Sequence, residues 1–221
     1  TLEDLDNNAD AIAAYDATDA NPGNGMVDIM GCPEDWTCDN IINAQLAFGG
    51  YKNLQQVKAG YDPMWAQAVD MVNEGLPVLA YTWTPSAYIT QIRPGDNAYW
   101  LGMEAILDDS NPMGQDGGDG WDQRPGTAAI GEDQCPARSA DGLCPIGWKA
   151  ADIRAAANNQ FLADNPAAEE LLLQIKLSVM DISLANVAQG EGADPKDLAA
   201  DWIAGNRSTV DGWLDAARAA G

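Results

Sequence analysis

Residues 62–83 constrain the fold more than any other part of the chain. Asp62-Pro63 is a helix-start pair, the helix it opens runs to about Glu74, and Gly75 supplies the stop. Residues 77–83 (PVLAYTW) follow at once, an apolar run of strand length that reads as buried. Residues 85–92 then read as a helical turn ended by Arg93-Pro94-Gly95, and residues 98–103 (AYWLGM) as a further strand carrying Trp100. Strand–helix–strand alternation of this kind predicts an α/β domain.

The flanking sequence extends the pattern. Residues 2–15 read as one short acidic helix, with Thr1 and Asp4 in capping-box-like spacing. Residues 16–25 (DATDANPGNG) are turn chemistry, residues 26–30 a short apolar strand, and residues 39–48 (DNIINAQLAF) have helical spacing. Residues 148–157 read as another strand. From Asn165 onward the expectation is helical. Pro166 starts one helix, a second lies near residues 179–189, and two more carry Trp202 and Trp213 on apolar faces. Trp65, on the helix opened at Asp62, is assigned to the core. Residues 108–147 differ: dense in Gly, Asp and Pro, they are too long for an ordinary loop and read as an insertion.

Composition removes several classes of function. Lys and Arg number 11 against 34 Asp and Glu, a net charge of −23, and such a surface repels phosphate backbones, so no nucleic-acid partner is expected. With no histidine there is no Ser-His-Asp or Cys-His nucleophile and no imidazole zinc ligand. An enzyme would have to work with carboxylates alone, as a glycosidase does, and no catalytic group stands out; the chain is read as a non-enzyme. No apolar run approaches the ~20 residues that cross a bilayer, so no direct membrane insertion is expected. No secretory leader opens the sequence, as expected of a mature exported product or a trimmed chain.

The four cysteines form two local pairs, Cys32 with Cys38 and Cys135 with Cys144. An even count at short spacing predicts two disulfide loops and an oxidising compartment; neither pair has the spacing of a zinc ribbon. The first loop holds Trp36, and a helix would open at Cys38-Asp39. The amides of Thr37 and Cys38 would then be unpaired helix-start donors beside an indole face. That arrangement suits a ligand with an organic cation at one end and an oxygen at the other; the competing reading is a packing tryptophan under a stapled turn. Trp83 stands at the end of a predicted strand, where ligands of open α/β sheets gather. Within the insertion, Asp116, Asp119 and Asp122 recur at three-residue spacing, with Glu132 and Asp133 further on. Hard oxygen ligands on a flexible backbone suit a structural Ca²⁺, and a solvated acidic hairpin is the equal alternative.

The Cys-x5-Cys loop with Trp36 two residues before its second cysteine, followed by Tyr81-Thr82-Trp83-Thr84-Pro85, resembles ABC-transporter substrate-binding proteins for glycine betaine and related quaternary amines. Residues 74–85 (EGLPVLAYTWTP), the Asn165-Pro166-Ala167-Ala168 helix start and the closing DGWLDAARAA carry the same likeness. The cysteine-bearing insertion is most similar to the trimethylamine N-oxide-binding branch. The resemblance implies a two-lobed periplasmic-binding-protein fold of type II. Residues 1–148 would be the second ligand-binding lobe, and residues 149–221 a crossover strand and C-terminal helices packing toward a first lobe that is mostly absent. It implies a periplasmic receptor that needs no cofactor, holds a small methylated amine between tryptophans matching Trp36 and Trp83, and docks on a membrane permease. The amides of Thr37 and Cys38 would hold the ligand's oxygen end; the family typically has glycine where this chain has Thr37. Glu34 and Asp35, beside the cage, would favour trimethylamine N-oxide or choline over the carboxylate of glycine betaine, unless both merely face solvent.

Overall fold

The computed structural model describes residues 1–104, 127–128, 130, 132–140, 142–147, 153 and 155–221. The centre of its three-stranded sheet is strand β1 (Val27–Met30), buried at all four positions. A strand buried on both faces needs neighbours on both sides and covering layers above and below. β2 (Leu54–Val57) and β3 (Leu79–Ala80) flank it in the order β2-β1-β3, both parallel to it. Val27 pairs with Leu54 and Met30 with Val57 on one side; Ile29 pairs with Leu79 on the other. Helix α3 (Thr37–Gly49) connects β1 to β2, and α4 (Tyr61–Asn73) connects β2 to β3. The α/β expectation therefore holds.

Local chemistry adjusts the sequence reading at several points. The amino-terminal helix is two, α1 (Leu2–Asp6) and α2 (Ala9–Asp16), because Asn8 turns extended and caps α2 by accepting from the Ala11 amide at 3.1 Å. The Thr1–Asp4 capping box is present. Asp62 is not the cap of α4; it lies in the first turn, after Gly60 at the N-cap, while Gly75 ends the helix region at φ +72°. The strand expected at 77–83 shrinks to Leu79–Ala80, extended by the Tyr81 amide donating to the Met30 carbonyl at 2.8 Å.

Residues 98–103 form no strand. Their amides go instead to scattered partners: Trp100 to the Gln134 carbonyl at 2.7 Å and Met103 to that of Pro145 at 2.8 Å. Beside them a short antiparallel pair joins β4 (Thr127–Ala128) to β5 (Cys144–Pro145). β2 is a strand with no counterpart in the sequence reading. The strand expected at 148–157 falls largely outside the described residues, and those of its residues that are described have no regular structure.

The chain divides into two units: Thr1–Trp83 with Gln91–Ala151, and Thr84–Thr90 with Asp152–Gly221. In the first, Leu2, Leu5, Val27, Ile29, Leu54 and Met103 form the buried core. Asp28 sits in the middle of β1 and is kept there by the amides of Asn21 (2.7 Å) and Gln55 (2.6 Å).

The second unit is helical: α5 (Asn159–Asp164), α6 (Pro166–Gln174), α7 (Val179–Gly190), α8 (Pro195–Gly205) and α9 (Arg207–Ala220), with the short turn Tyr88–Thr90 against α7. Prolines stand in the first turn of α6 and α8, and Asn158, Ser178 and Asp194 cap α5, α7 and α8. Trp202 and Trp213 stack on each other at 5.8 Å, joining α8 to α9. Ser183 is fully buried; its hydroxyl accepts from the Ser86 amide (3.2 Å) and donates to the Val179 carbonyl (2.8 Å). Of the turn expected at 85–92, residues 85–90 thus belong with these helices, and Gln91 and Ile92 with the first unit.

Candidate functional site

The site follows from the topology. β1 and β3 are parallel neighbours, so the segments leaving their carboxyl ends emerge side by side at one sheet edge, where a 2-1-3 strand order leaves a crevice. The segment after β1 is the Cys32–Cys38 loop; the segment after β3 is Tyr81-Thr82-Trp83; the one after β2 leads into Tyr61 at the start of α4. Three aromatic side chains meet there. The Trp36 and Trp83 ring centroids lie 5.9 Å apart with planes at 64°. Tyr61 stacks on Trp36 at 5.3 Å and 19° and contacts Trp83 at 5.1 Å.

Tyr81 adds a fourth ring, 6.2 Å from Trp83. The Tyr61 hydroxyl donates to the Tyr81 carbonyl at 2.7 Å, tying the start of α4 to the end of β3. Trp65, one helical turn after Tyr61, stacks beneath it at 6.1 Å and donates its indole N–H to Gln91 Oε1 at 3.0 Å, as a core residue does. Tyr61 and Trp65 are each only 5% exposed, whereas Trp36 is 40% exposed, so the two buried rings back Trp36, which forms an exposed wall.

An open hollow of about 450 Å³ lies against that wall, lined by Asp35, Trp36, Thr37, Cys38, Tyr81 and Trp83. Both disulfides are closed, Cys32–Cys38 and Cys135–Cys144. Trp36 is the N-cap of α3, and because an indole offers no acceptor it caps nothing. The Thr37 and Cys38 amides consequently have no partner among the described residues, and they sit at the positive end of a thirteen-residue helix. Burial pushes the Tyr81 phenol up to about 12, so this ring stays neutral at physiological pH.

The loop is braced from below. Asp39, 4% exposed in the first turn of α3, pairs with Lys58 Nζ at 2.8 Å and accepts from the amides of Gln56 (2.8 Å) and Asn43 (3.0 Å). Gly31 precedes the loop where a side chain would displace Gln56: a Cβ there would lie 2.2 Å from Gln56 Oε1.

Of the residues singled out in the sequence, Trp36, Trp83, Thr37 and Cys38 line one hollow. Asp35 lines it too, while Glu34 is exposed and outside the lining. Asp116, Asp119 and Asp122 lie outside the described residues. Glu132 and Asp133 are exposed, and among the described residues no three His, Cys, Asp or Glu side chains are grouped to hold a metal ion. Tyr61 was not foreseen; its one signal is that it stands four residues before Trp65, on the same helix face.

Residues 1–205 match the family model described as the substrate binding domain of ABC-type glycine betaine transport systems. The chain is 29% identical over 203 residues to the glycine betaine/proline betaine-binding periplasmic proteins of Escherichia coli (strain K12) and Salmonella typhimurium. It is 28% identical to the glycine betaine-binding periplasmic protein OusX of Dickeya dadantii. Each match covers 90% of this chain and 55% of the relative, so the chain spans about half the length of the curated relatives it matches. Among the described residues no single helix is long and apolar enough to cross a membrane. The family consists of binding domains, not enzymes, and capture of a solute by such a domain calls for no cofactor. An α/β sheet with an aromatic hollow at its carboxyl edge, together with a match over residues 1–205, places this chain in the family of substrate-binding domains of ABC-type glycine betaine transport systems.

Proposed function

We propose that this chain is the ligand-gripping part of a periplasmic receptor for a small methylated amine, with trimethylamine N-oxide the favoured ligand, and that the receptor delivers its cargo to the membrane permease of an ABC importer. The observation that carries the reading is the corner formed by Trp36 and Trp83, 5.9 Å apart at 64°, over the hollow they share. A methylated nitrogen seated against these ring faces is attracted by their π-electrons and loses water to them. The amides of Thr37 and Cys38, uncommitted at the positive end of α3, suit the ligand's oxygen. The Asp35 carboxylate on the rim repels a second carboxylate, which favours an N-oxide or an alcohol over a betaine.

On this reading the chain supplies the second lobe and the C-terminal helices of a two-lobed receptor. Closure of the lobes completes the cage and creates the form the permease accepts. The relatives' names support glycine betaine as the second candidate.

Calorimetric titration of the full-length protein with trimethylamine N-oxide, choline and glycine betaine tests the proposal. Tightest binding of trimethylamine N-oxide supports it. Preference for glycine betaine moves the receptor to the second candidate, and no binding of any of the three rejects the amine-receptor reading.

A further inference from the structure

We propose that Gln56 is a positioning residue for the aromatic corner, setting the angle at which Trp36 meets Trp83 by holding both ends of the disulfide loop with one side-chain amide. The inference deepens the reading above and rests on it only for the ligand. Gln56 lies on β2, the strand next to the one that leads into the loop. Its Oε1 accepts from the Cys32 amide at 3.1 Å, at the loop's entrance. Its Nε2 donates to the Asp39 carbonyl at 3.2 Å and to Asp39 Oδ1 at 2.8 Å, at the loop's exit. Entrance and exit are seven residues apart, and Trp36 stands between them.

The bonding pattern demands this residue type. The entrance presents a donor and the exit two acceptors, so the brace must accept at one atom and donate at the other. A carboxylate of the same size would keep the first bond, lose the other two and face the buried Asp39 charge. A thioether would lose all three. The disulfide fixes the spacing of Cys32 and Cys38; the Gln56 amide reaches both ends of the loop at once, beside the Gly31 amide donating to the Val57 carbonyl at 3.1 Å at the entrance and the Lys58–Asp39 pair at the exit. The close approach at Gly31, where a Cβ would strike Gln56, shows how tightly the side chain is seated under the loop entrance.

The test uses the full chain without ligand first. The near-ultraviolet circular dichroism difference between wild type and Trp36→Phe defines the signal of the coupled rings. Gln56→Met and the isosteric Gln56→Glu are expected to lose at least half of that signal while keeping the far-ultraviolet spectrum of a folded protein. Gln55→Met is the control: it breaks a 2.6 Å bond on the opposite face of β2, to Asp28, and is expected to lower Tm while leaving the ring signal intact. Titration with trimethylamine N-oxide should then show Kd raised about tenfold or more in both Gln56 variants and unchanged in Gln55→Met. A wild-type ring signal in either folded Gln56 variant overturns the proposal, as does equal loss in Gln55→Met. If trimethylamine N-oxide binds none of the proteins, wild type included, the ligand assignment fails while the ring signal still decides the role of Gln56.

Discussion

Tyr61 lies face to face with Trp36, centroids 5.3 Å apart and planes 19° from parallel, and its hydroxyl is pinned to the Tyr81 carbonyl. A wall of the hollow is therefore backed by a buried ring from another element. Tyr61→Phe keeps the stack and loses one hydrogen bond, so it should cost about 0.5–1.5 kcal/mol of stability with ligand affinity preserved. Tyr61→Leu removes the aromatic partner and should weaken both; calorimetric Kd and chemical denaturation of the two variants separate the effects.

Gly31 follows the last residue of β1 and lies against Gln56, and an alanine Cβ would fall 2.2 Å from Gln56 Oε1. Neither the loop backbone nor the brace can yield without breaking the Cys32 bond. Gly31→Ala should destabilise the protein by about 1–3 kcal/mol, as overpacking does, read as a lowered urea midpoint with an unchanged slope.

The Lys58–Asp39 pair joins the end of β2 to the first turn of α3, with Lys58 partly in solvent and Asp39 buried. Among the described residues, Lys58→Met leaves the Asp39 carboxylate with the Gln56 and Asn43 side-chain amides as its partners. The expected cost is about 1–3 kcal/mol of folding stability, and the double variant Lys58→Met, Asp39→Asn should recover part of it.

Tyr81 titrates late because burial disfavours its phenolate, which moves its pKa from 10.0 to about 12. The folded state thus holds this proton after the unfolded chain has released it. The resulting stabilisation is fully present below pH 10 and is lost as the pH rises through 12. Tyr81→Phe should show a shallower decline over pH 10–12, because burial raises Tyr15 and Tyr51 as well. Absorbance titration at the phenolate band should show one fewer late-ionising tyrosine.

The central strand, both crossover helices and the two tryptophan positions were legible in the sequence because each rests on a local signal. An apolar run marks β1, Gly75 marks the end of α4, and Trp36 and Trp83 follow strand-like segments. β2 was not legible: LQQV carries no alternation that separates it from a loop, since Gln55 and Gln56 are spent bracing Asp28 and the cysteine loop across the sheet. Tyr61 escaped for a related reason. Tyr61-Asp62-Pro63 announces a helix, and only the parallel pairing of three strands brings that helix start beside Trp36. Residues 98–103 have the apolar content of a strand without its ladder, because their amides meet irregular partners. The break between α1 and α2 is marked by Asn8, an N-cap residue type lying inside a continuous acidic run.

The most direct measurement is the affinity of Trp36→Ala and Trp83→Ala for trimethylamine N-oxide, taken by calorimetry on folded full-length protein. Each substitution is predicted to cost on the order of 1–2 kcal/mol or more, a rise in Kd of roughly tenfold, as loss of a desolvated cation–π face does. Wild-type affinity in both variants would contradict the account, because a ligand indifferent to both rings does not sit in the corner they make.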